Sequence, residues 1–274
     1  RTGPARETTG PMSASLTDQD ISRYLDLITP LAEQAGAEIM TYYKGDMDVR
    51  TKSDSSPVTA ADEAAEKIII AGLHEIAPHI PVVAEEAMAG GATPDVSGGL
   101  FWLVDPLDGT KEFVSHRDEF TVNIALVEDG VPILGVVTAP ALDVVYTGAG
   151  PGTAMMRRGD GTAEPISARK QPASGAVVTA SRSHSDMKKI QELMNQQSIN
   201  DLKISGSSVK FCLVAEGVAD IYPRYGPTRE WDTAAGHAVL LAAGGSVRTL
   251  DGEEMLYGKA HFLNTEFIAR GRDA

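Results

Sequence analysis

Apolar residues in the first patterned stretch of the chain, Ile21, Tyr24, Leu25, Ile28, Leu31, Ala32, Ala35, Ile39 and Met40, fall on one face of a 3.6-residue period. This stripe predicts a long amphipathic helix capped by Thr17, with Asp18 and Asp20 in its first turn and a bend at Pro30. A second stripe, Ala64, Ala65, Ile68, Ile69, Leu73 and Ile76, predicts another helix over Ala60–Ile76 that stops before Pro78. Over residues 101–157 the period changes. The apolar runs become FWLV, TVNIALVE, ILGVVT, VVYT and TAMMR, separated by Asp-Gly, Ala-Pro and Gly-Pro-Gly turns. These predict an antiparallel meander covered by the two helices, with Asp129-Gly130 as its two-residue hairpin.

After Gly175 strand-like and helix-like runs alternate: AVVTAS, a helix over 186–197, LKIS, a helix over 207–215, ADIYP, a helix over 232–243, and short strands near Val247 and Phe267. The expected fold is α+β. A larger half, residues 16–172, holds the antiparallel sheet and two long helices, and a smaller half, residues 173–274, holds a mixed α/β sheet. No flexible linker marks the boundary near Pro172, so the halves should pack closely. Residues 1–15 are polar and aperiodic and read as a disordered leader.

With 274 residues, 42% of them hydrophobic, the chain has enough apolar material for a sizeable core. It carries 24 Lys and Arg against 38 Asp and Glu, a net charge of −14. That balance opposes binding to nucleic acid polymers or anionic lipid, and it admits a polyanionic substrate only through metal ions or a local basic patch. The single cysteine, Cys212, cannot close an intramolecular disulfide, which favours a cytoplasmic address. It reads as a helix core residue, because no motif places a base beside it. No apolar run approaches the roughly 20 residues of a membrane span.

The segment FWLVDPLDGT changes the picture most. A buried strand runs into Asp105-Pro106-Leu107-Asp108-Gly109-Thr110, expected as a turn at the strand's end that holds two carboxylates three positions apart. Carboxylates held that close repel each other unless a cation lies between them. The Gly109 and Thr110 amides should open a short helix and face an anion. Two further acidic features stand apart in sequence: Glu85-Glu86 at the end of Val82-Val83-Ala84, and Asp232 in Trp231-Asp232 at a helix start. Taken alone, either one is ordinarily a solvated pair or a plain cap.

Glu85-Glu86, Trp102-Leu103-Val104-Asp105-Pro106-Leu107-Asp108-Gly109-Thr110 and Trp231-Asp232-Thr233-Ala234-Ala235-Gly236 together resemble the metal site of the inositol monophosphatase superfamily, lithium-sensitive phosphomonoesterases that use Mg2+. The likeness runs from Leu16 onward. Within the superfamily, residues 110–113, 119–126 and 206–217 are similar to the bacterial CysQ type, the 3′(2′),5′-bisphosphate nucleotidases of sulfur metabolism. The resemblance implies a layered α-β-α-β-α fold and removal of the 3′-phosphate of adenosine 3′,5′-bisphosphate (PAP), with PAPS as a further substrate. It implies that Glu85, Asp105, Asp108, Asp232 and the Leu107 carbonyl hold two or three Mg2+ ions, and that Asp62 accepts a hydrogen bond from Thr110, which orients the attacking water. It also implies a monomer or homodimer that is cytoplasmic or peripheral at the inner face of the inner membrane.

For the substrate the resemblance offers Gly109, Thr110 and Asp232, and for its second phosphate Ser207, Lys210 and Arg224, with Arg182 and His184 near them and Glu216 toward a sugar hydroxyl. Lys52, in a Lys-Ser-Asp-Ser-Ser-Pro loop, ranks below these, and His237 reads as a packed histidine. Hydrolysis of inositol-1-phosphate or fructose-1,6-bisphosphate on the same metal site is a rival reading. A catalytically silent metal- or phosphate-binding protein is the rival from another class.

Overall fold

The computed structural model describes residues 16–45, 49–51, 57–182, 187–196 and 198–272. Residues 1–15, the Lys52 loop and His184 lie outside them. Helix α1 (Asp18–Tyr43) starts at Thr17, whose hydroxyl accepts from the Asp20 amide while the Asp20 carboxylate accepts from the Thr17 amide. It continues as one element through Pro30. A short antiparallel pair, β1 (Val49–Thr51) and β2 (Pro57–Thr59), leads into α2 (Ala60–Ile76). Thr59 and Asp62 form a second reciprocal box at its start.

The larger sheet begins with β3 (Val82–Ala84), and the chain then passes through the single-turn helix α3 (Glu85–Ala89), β4 (Leu100–Asp108) and the single-turn helix α4 (Thr110–Val114). It continues as β5 (Thr121–Glu128), β6 (Val131–Ala139), β7 (Val144–Gly148), β8 (Met155–Arg158) and β9 (Glu164–Pro165). The seven strands lie in chain order. All neighbours are antiparallel except β3 and β4, which run parallel.

The smaller sheet is built from β10 (Ala176–Ala180), β11 (Ile199–Ile204), β12 (Ile221–Arg224), β13 (Ser246–Thr249) and β14 (Phe267–Arg270), in the order β11-β10-β12-β14-β13. Strand β10 is parallel to both its neighbours, and the β12–β14 and β13–β14 pairs are antiparallel. Helices α5 (Met187–Gln196), α6 (Val209–Ala215) and α7 (Ala234–Ala242) complete the chain.

Strand alternation sorts the residues into layers. Trp102, Val104, Val122, Ile124 and Leu126 share a core with Ile28, Leu31, Ile69 and Leu73 of α1 and α2. Their neighbours Phe101, Leu103, Ala125 and Val127 share another with Phe211 of α6 and Val239 and Leu240 of α7. That second core also takes Tyr222, Phe267 and Ala269 from one face of the smaller sheet. Ala176, Val178 and Ile221 on its other face pack with Leu193 of α5. The result is five layers, α-β-α-β-α, as the resemblance implied. One core draws on residues from both sides of Pro172. At its centre a Cβ on Gly135 of β6 would come within 2.4 Å of the Ala235 carbonyl, so α7 lies directly on the larger sheet because that position is glycine. Among the described residues, no helix is long and apolar enough to cross a membrane.

His237 is buried in α7, where its Nδ1 meets the Tyr257 hydroxyl at 3.0 Å. Burial, then the positive charge of Lys259, hold the imidazole down to about 3. Between that value and the ordinary one near 6.5 the unfolded chain binds a proton that the folded chain does not. Stability assignable to His237 is therefore complete above about 6.5 and is lost as pH falls toward 3. Urea unfolding at pH 7 and pH 5 should show a smaller acid-side loss for His237→Gln than for the wild type; equal losses would assign the acid sensitivity to other groups.

Candidate active site

The site gathers where three strand or loop ends meet. Ala84, the last residue of β3, pairs with Val104 of β4, which brings Glu85 beside Asp105. Strand β4 does not end before the acids, as the sequence suggested. It runs on to Asp108 as a bulge, with Asp105 opposite Asn123 and Asp108 opposite Thr121, three steps on one strand against two on its partner. The bulge re-aims the Asp105-Pro106-Leu107-Asp108 segment, and the Asp105 carboxylate accepts from the Leu107 amide at 3.0 Å. Gly109 follows at φ 90°, and a Cβ there would also stand 3.1 Å from the Glu119 carbonyl. The chain can turn here into α4 only because this residue is glycine.

Asp232 arrives from the other half, one residue before the Thr233 cap of α7. Its carboxylate accepts from the Arg229 amide at 2.8 Å. The Asn264 amide nitrogen reaches Thr228 Oγ1, the Arg229 carbonyl and Thr233 Oγ1 at 3.1, 2.8 and 3.0 Å, fixing that loop. Glu230, fully buried, accepts from the Gly258 and Lys259 amides at 2.7 and 2.9 Å. Neither Asn264 nor Glu230 stood out in the sequence.

Carboxylate oxygens of Glu85, Asp105 and Asp232 all lie within 4.8 Å of one another. Asp108 is adjacent: burial pushes its carboxyl up to about 6, opposed first by Lys210. Asp232 is raised well above the ordinary range by burial and then by the charges of Asp108 and Glu85. Hard oxygen donors that crowd and destabilise one another's charged forms fit a divalent cation.

Asp62 is buried, and one of its oxygens accepts from the Thr59 amide and hydroxyl at 2.7 and 2.6 Å. The other is 3.3 Å from Thr110 Oγ1, which also lies 3.2 Å from the Leu107 carbonyl. Across the acids, Ser208 donates its amide to Asp108 at 2.5 Å, and its hydroxyl bonds to Asn123 and Thr121 at 2.7 and 2.8 Å. Lys210 is only 2% exposed. Its ammonium donates to the Ser207 carbonyl, and burial lowers it to about 8 despite the neighbouring Asp108. Arg224 donates to the Gly226 and Pro227 carbonyls at 3.2 and 2.8 Å.

The site opens as one cleft of about 230 Å³. Glu85, Asp105, Leu107, Asp108 and Asp232 form its acidic side together with Gly109 and Thr110, and Ser207, Lys210 and Arg224 face into it as well. Asp62 reaches the cleft through Thr110. Glu216 is not among the lining residues: it pairs with Arg158 of β8 at 3.2 Å and bonds to Tyr146, away from the acids. Arg182 is tied to Glu119 at 3.1 Å.

A fold of five layers with clustered acids at a sheet bulge defines a known class, and the chain belongs to the inositol monophosphatase family, whose model matches residues 20–271. Among its relatives, the 3′(2′),5′-bisphosphate nucleotidase CysQ of Shigella flexneri is 47% identical over 250 residues, covering 89% of this chain and 98% of that protein. The protein of the same name from Escherichia coli K12 is 46% identical over the same length. The crystal structure of CysQ from Bacteroides thetaiotaomicron, 36% identical, superposes with a TM-score of 0.76 over 92% of this chain and 98% of that one. An inositol monophosphatase from Anabaena is 26% identical, with a TM-score of 0.73 over 92% of each chain.

Proposed function

We propose that this chain is a Mg2+-dependent 3′(2′),5′-bisphosphate nucleotidase that hydrolyses the 3′-phosphate of PAP to give AMP and inorganic phosphate. One observation carries the reading: a single cleft holds a carboxylate set that calls for divalent cations and, facing it, two buried cations, Lys210 and Arg224. A bisphosphate needs both. Relatives 46–47% identical along most of the chain bear the nucleotidase name, which supports the same substrate here.

Glu85, Asp105, Asp108 and Asp232, with the Leu107 carbonyl, would hold the Mg2+ ions. Bound Mg2+ neutralises phosphate charge, acidifies water and stabilises the leaving oxygen. The chain supplies the rest. Thr110 has one hydroxyl proton and two acceptors, Asp62 and the Leu107 carbonyl. Were the carbonyl taken up as a cation ligand, that proton would point to Asp62, and a Thr110 lone pair would accept a hydrogen bond from the attacking water and so orient it. Water then adds to phosphorus on the face opposite O3′, its proton passing through the Thr110 hydroxyl to Asp62, and the P–O3′ bond breaks with O3′ taking a proton from solvent water.

Phosphate release from PAP, inositol-1-phosphate and fructose-1,6-bisphosphate, each with Mg2+, tests the proposal. PAP should be preferred; preference for either other ester would replace the substrate, and no release from any of them would overturn an enzymatic role. The two cations give a finer test. Loss of a charge-assisted phosphate contact costs about 1.5–3 kcal/mol, or roughly 10- to 150-fold in kcat/KM. Arg224→Ala should show that loss on PAP and largely spare inositol-1-phosphate. Lys210→Ala should show it too, with an added loss on both substrates because the ammonium also steadies Asp108. Equal losses of both substrates in Arg224→Ala would make that residue part of the scaffold.

A further inference from the structure

Glu66 of α2 is a charged residue only 6% exposed, in a helix whose buried face is otherwise lined mainly by small and aliphatic side chains. An unpaired carboxylate at such a position is costly. Both of its oxygens reach α3: Oε2 accepts from the Glu86 amide at 2.7 Å and Oε1 from the Ala87 amide at 2.8 Å. These are the second and third amides of α3, the ones a capping side chain ordinarily satisfies. The residue in the cap position of α3 is Ala84, which has no side chain able to do so. Glu66 therefore caps α3 from another helix.

Glu85 is the first residue of α3, so its backbone is pinned from both sides. The β3–β4 pairing at Ala84 and Val104 fixes the chain before it, and Glu66 fixes the two amides after it. Little freedom remains in where its carboxylate meets Asp105 and Asp232. Asp62 stands one turn earlier on the same helix, at the i, i+4 spacing that shares a face, and holds Thr110. A single rigid helix thus braces both the water-orienting pair and one cation ligand.

We propose that Glu66 is a positioning residue for cation binding: it sets the Glu85 ligand and adds its own charge behind it. This rests on the metal-site reading above. A neutral Gln keeps the size but offers one acceptor where two amides need one, and it turns an NH2 group toward the second. Outer residues that orient ligands typically govern affinity by roughly 10- to 100-fold.

The test is a direct Mn2+ titration, by loss of the free-ion electron paramagnetic resonance signal, of the wild type, Glu66→Gln, and Glu75→Gln as an exposed control on the same helix. Steady-state kinetics across a Mg2+ series run beside it. The Mn2+ Kd and the half-saturating Mg2+ should rise roughly 10- to 100-fold in Glu66→Gln. The KM for PAP at saturating Mg2+ should stay near wild type, and Glu75→Gln should match wild type throughout. A purely structural cap would lower the melting temperature and leave the Mn2+ Kd unmoved, which overturns the proposal. Wild type that binds no Mn2+ would overturn the metal-site reading itself, and Glu66 with it. If Glu66→Gln does not fold, Glu66→Asp, one methylene shorter with both oxygens kept, carries the same comparison.

Discussion

Asp105→Asn should lower turnover about 1000-fold or more, roughly 4 kcal/mol of lost barrier reduction, while the chain stays folded. Asp105 is 2% exposed, and its carboxylate lies within reach of both Glu85 and Asp232. The substitution keeps Oδ1, so the bond from the Leu107 amide survives and the bulge of β4 is retained. What it removes is charge at the centre of the acidic set. Without divalent cations that removal relieves repulsion, since the Asp105 carboxylate lies within 4.8 Å of those of Glu85 and Asp232. The expected signature is therefore a crossing. In EDTA the variant melts at or above the wild-type temperature; with Mg2+ the wild type gains more than the variant, because a ligand bound more tightly to the folded state stabilises it more. Phosphate release and thermal unfolding in both conditions check it. Near-normal turnover of the variant at moderate Mg2+ would remove Asp105 from the cation site.

Much of this architecture was written in periodicity. The Ala60–Ile76 stripe returned a helix with those bounds, and the short β runs over residues 101–157 returned β4 to β8 of the larger sheet. Such patterns are legible because burial on one face imposes them locally. The bulge of β4 was not legible, because it consists in a pairing between Asp108 and Thr121 that nothing in FWLVDPLDGT encodes by itself. Helix α3 was missed for a similar reason: five residues carry no measurable period, and its cap comes from Glu66, about twenty positions away. Glu230 and Asn264 act across similar or larger separations. Two local signals were there to be used. Thr59-Ala60-Ala61-Asp62 is a capping-box spacing, and Glu66 is a charge next to Ala65 in the apolar stripe of α2. Both mark the helix that braces the site.

Thr110→Ala and Asp62→Asn should each lower kcat by roughly 100- to 10,000-fold with much smaller effects on KM, and the double variant should be little worse than either single one. The two residues are 48 positions apart, yet one oxygen of Asp62 meets Thr110 while the other is occupied by Thr59. If they act as one unit that orients the hydroxyl, removing either disables it, and the second removal finds little left to lose. Asp62 also caps α2, so Asp62→Asn should carry a stability cost of about 0.5–2 kcal/mol that Thr110→Ala does not. Unequal melting temperatures beside nearly equal kcat losses would separate the helix cap from the catalytic bond, two roles held by the two oxygens of one carboxylate. A double variant whose kcat loss is the product of the single losses would mean that Thr110 and Asp62 act independently, and the orientation of the attacking water would have to be assigned to other groups in the cleft.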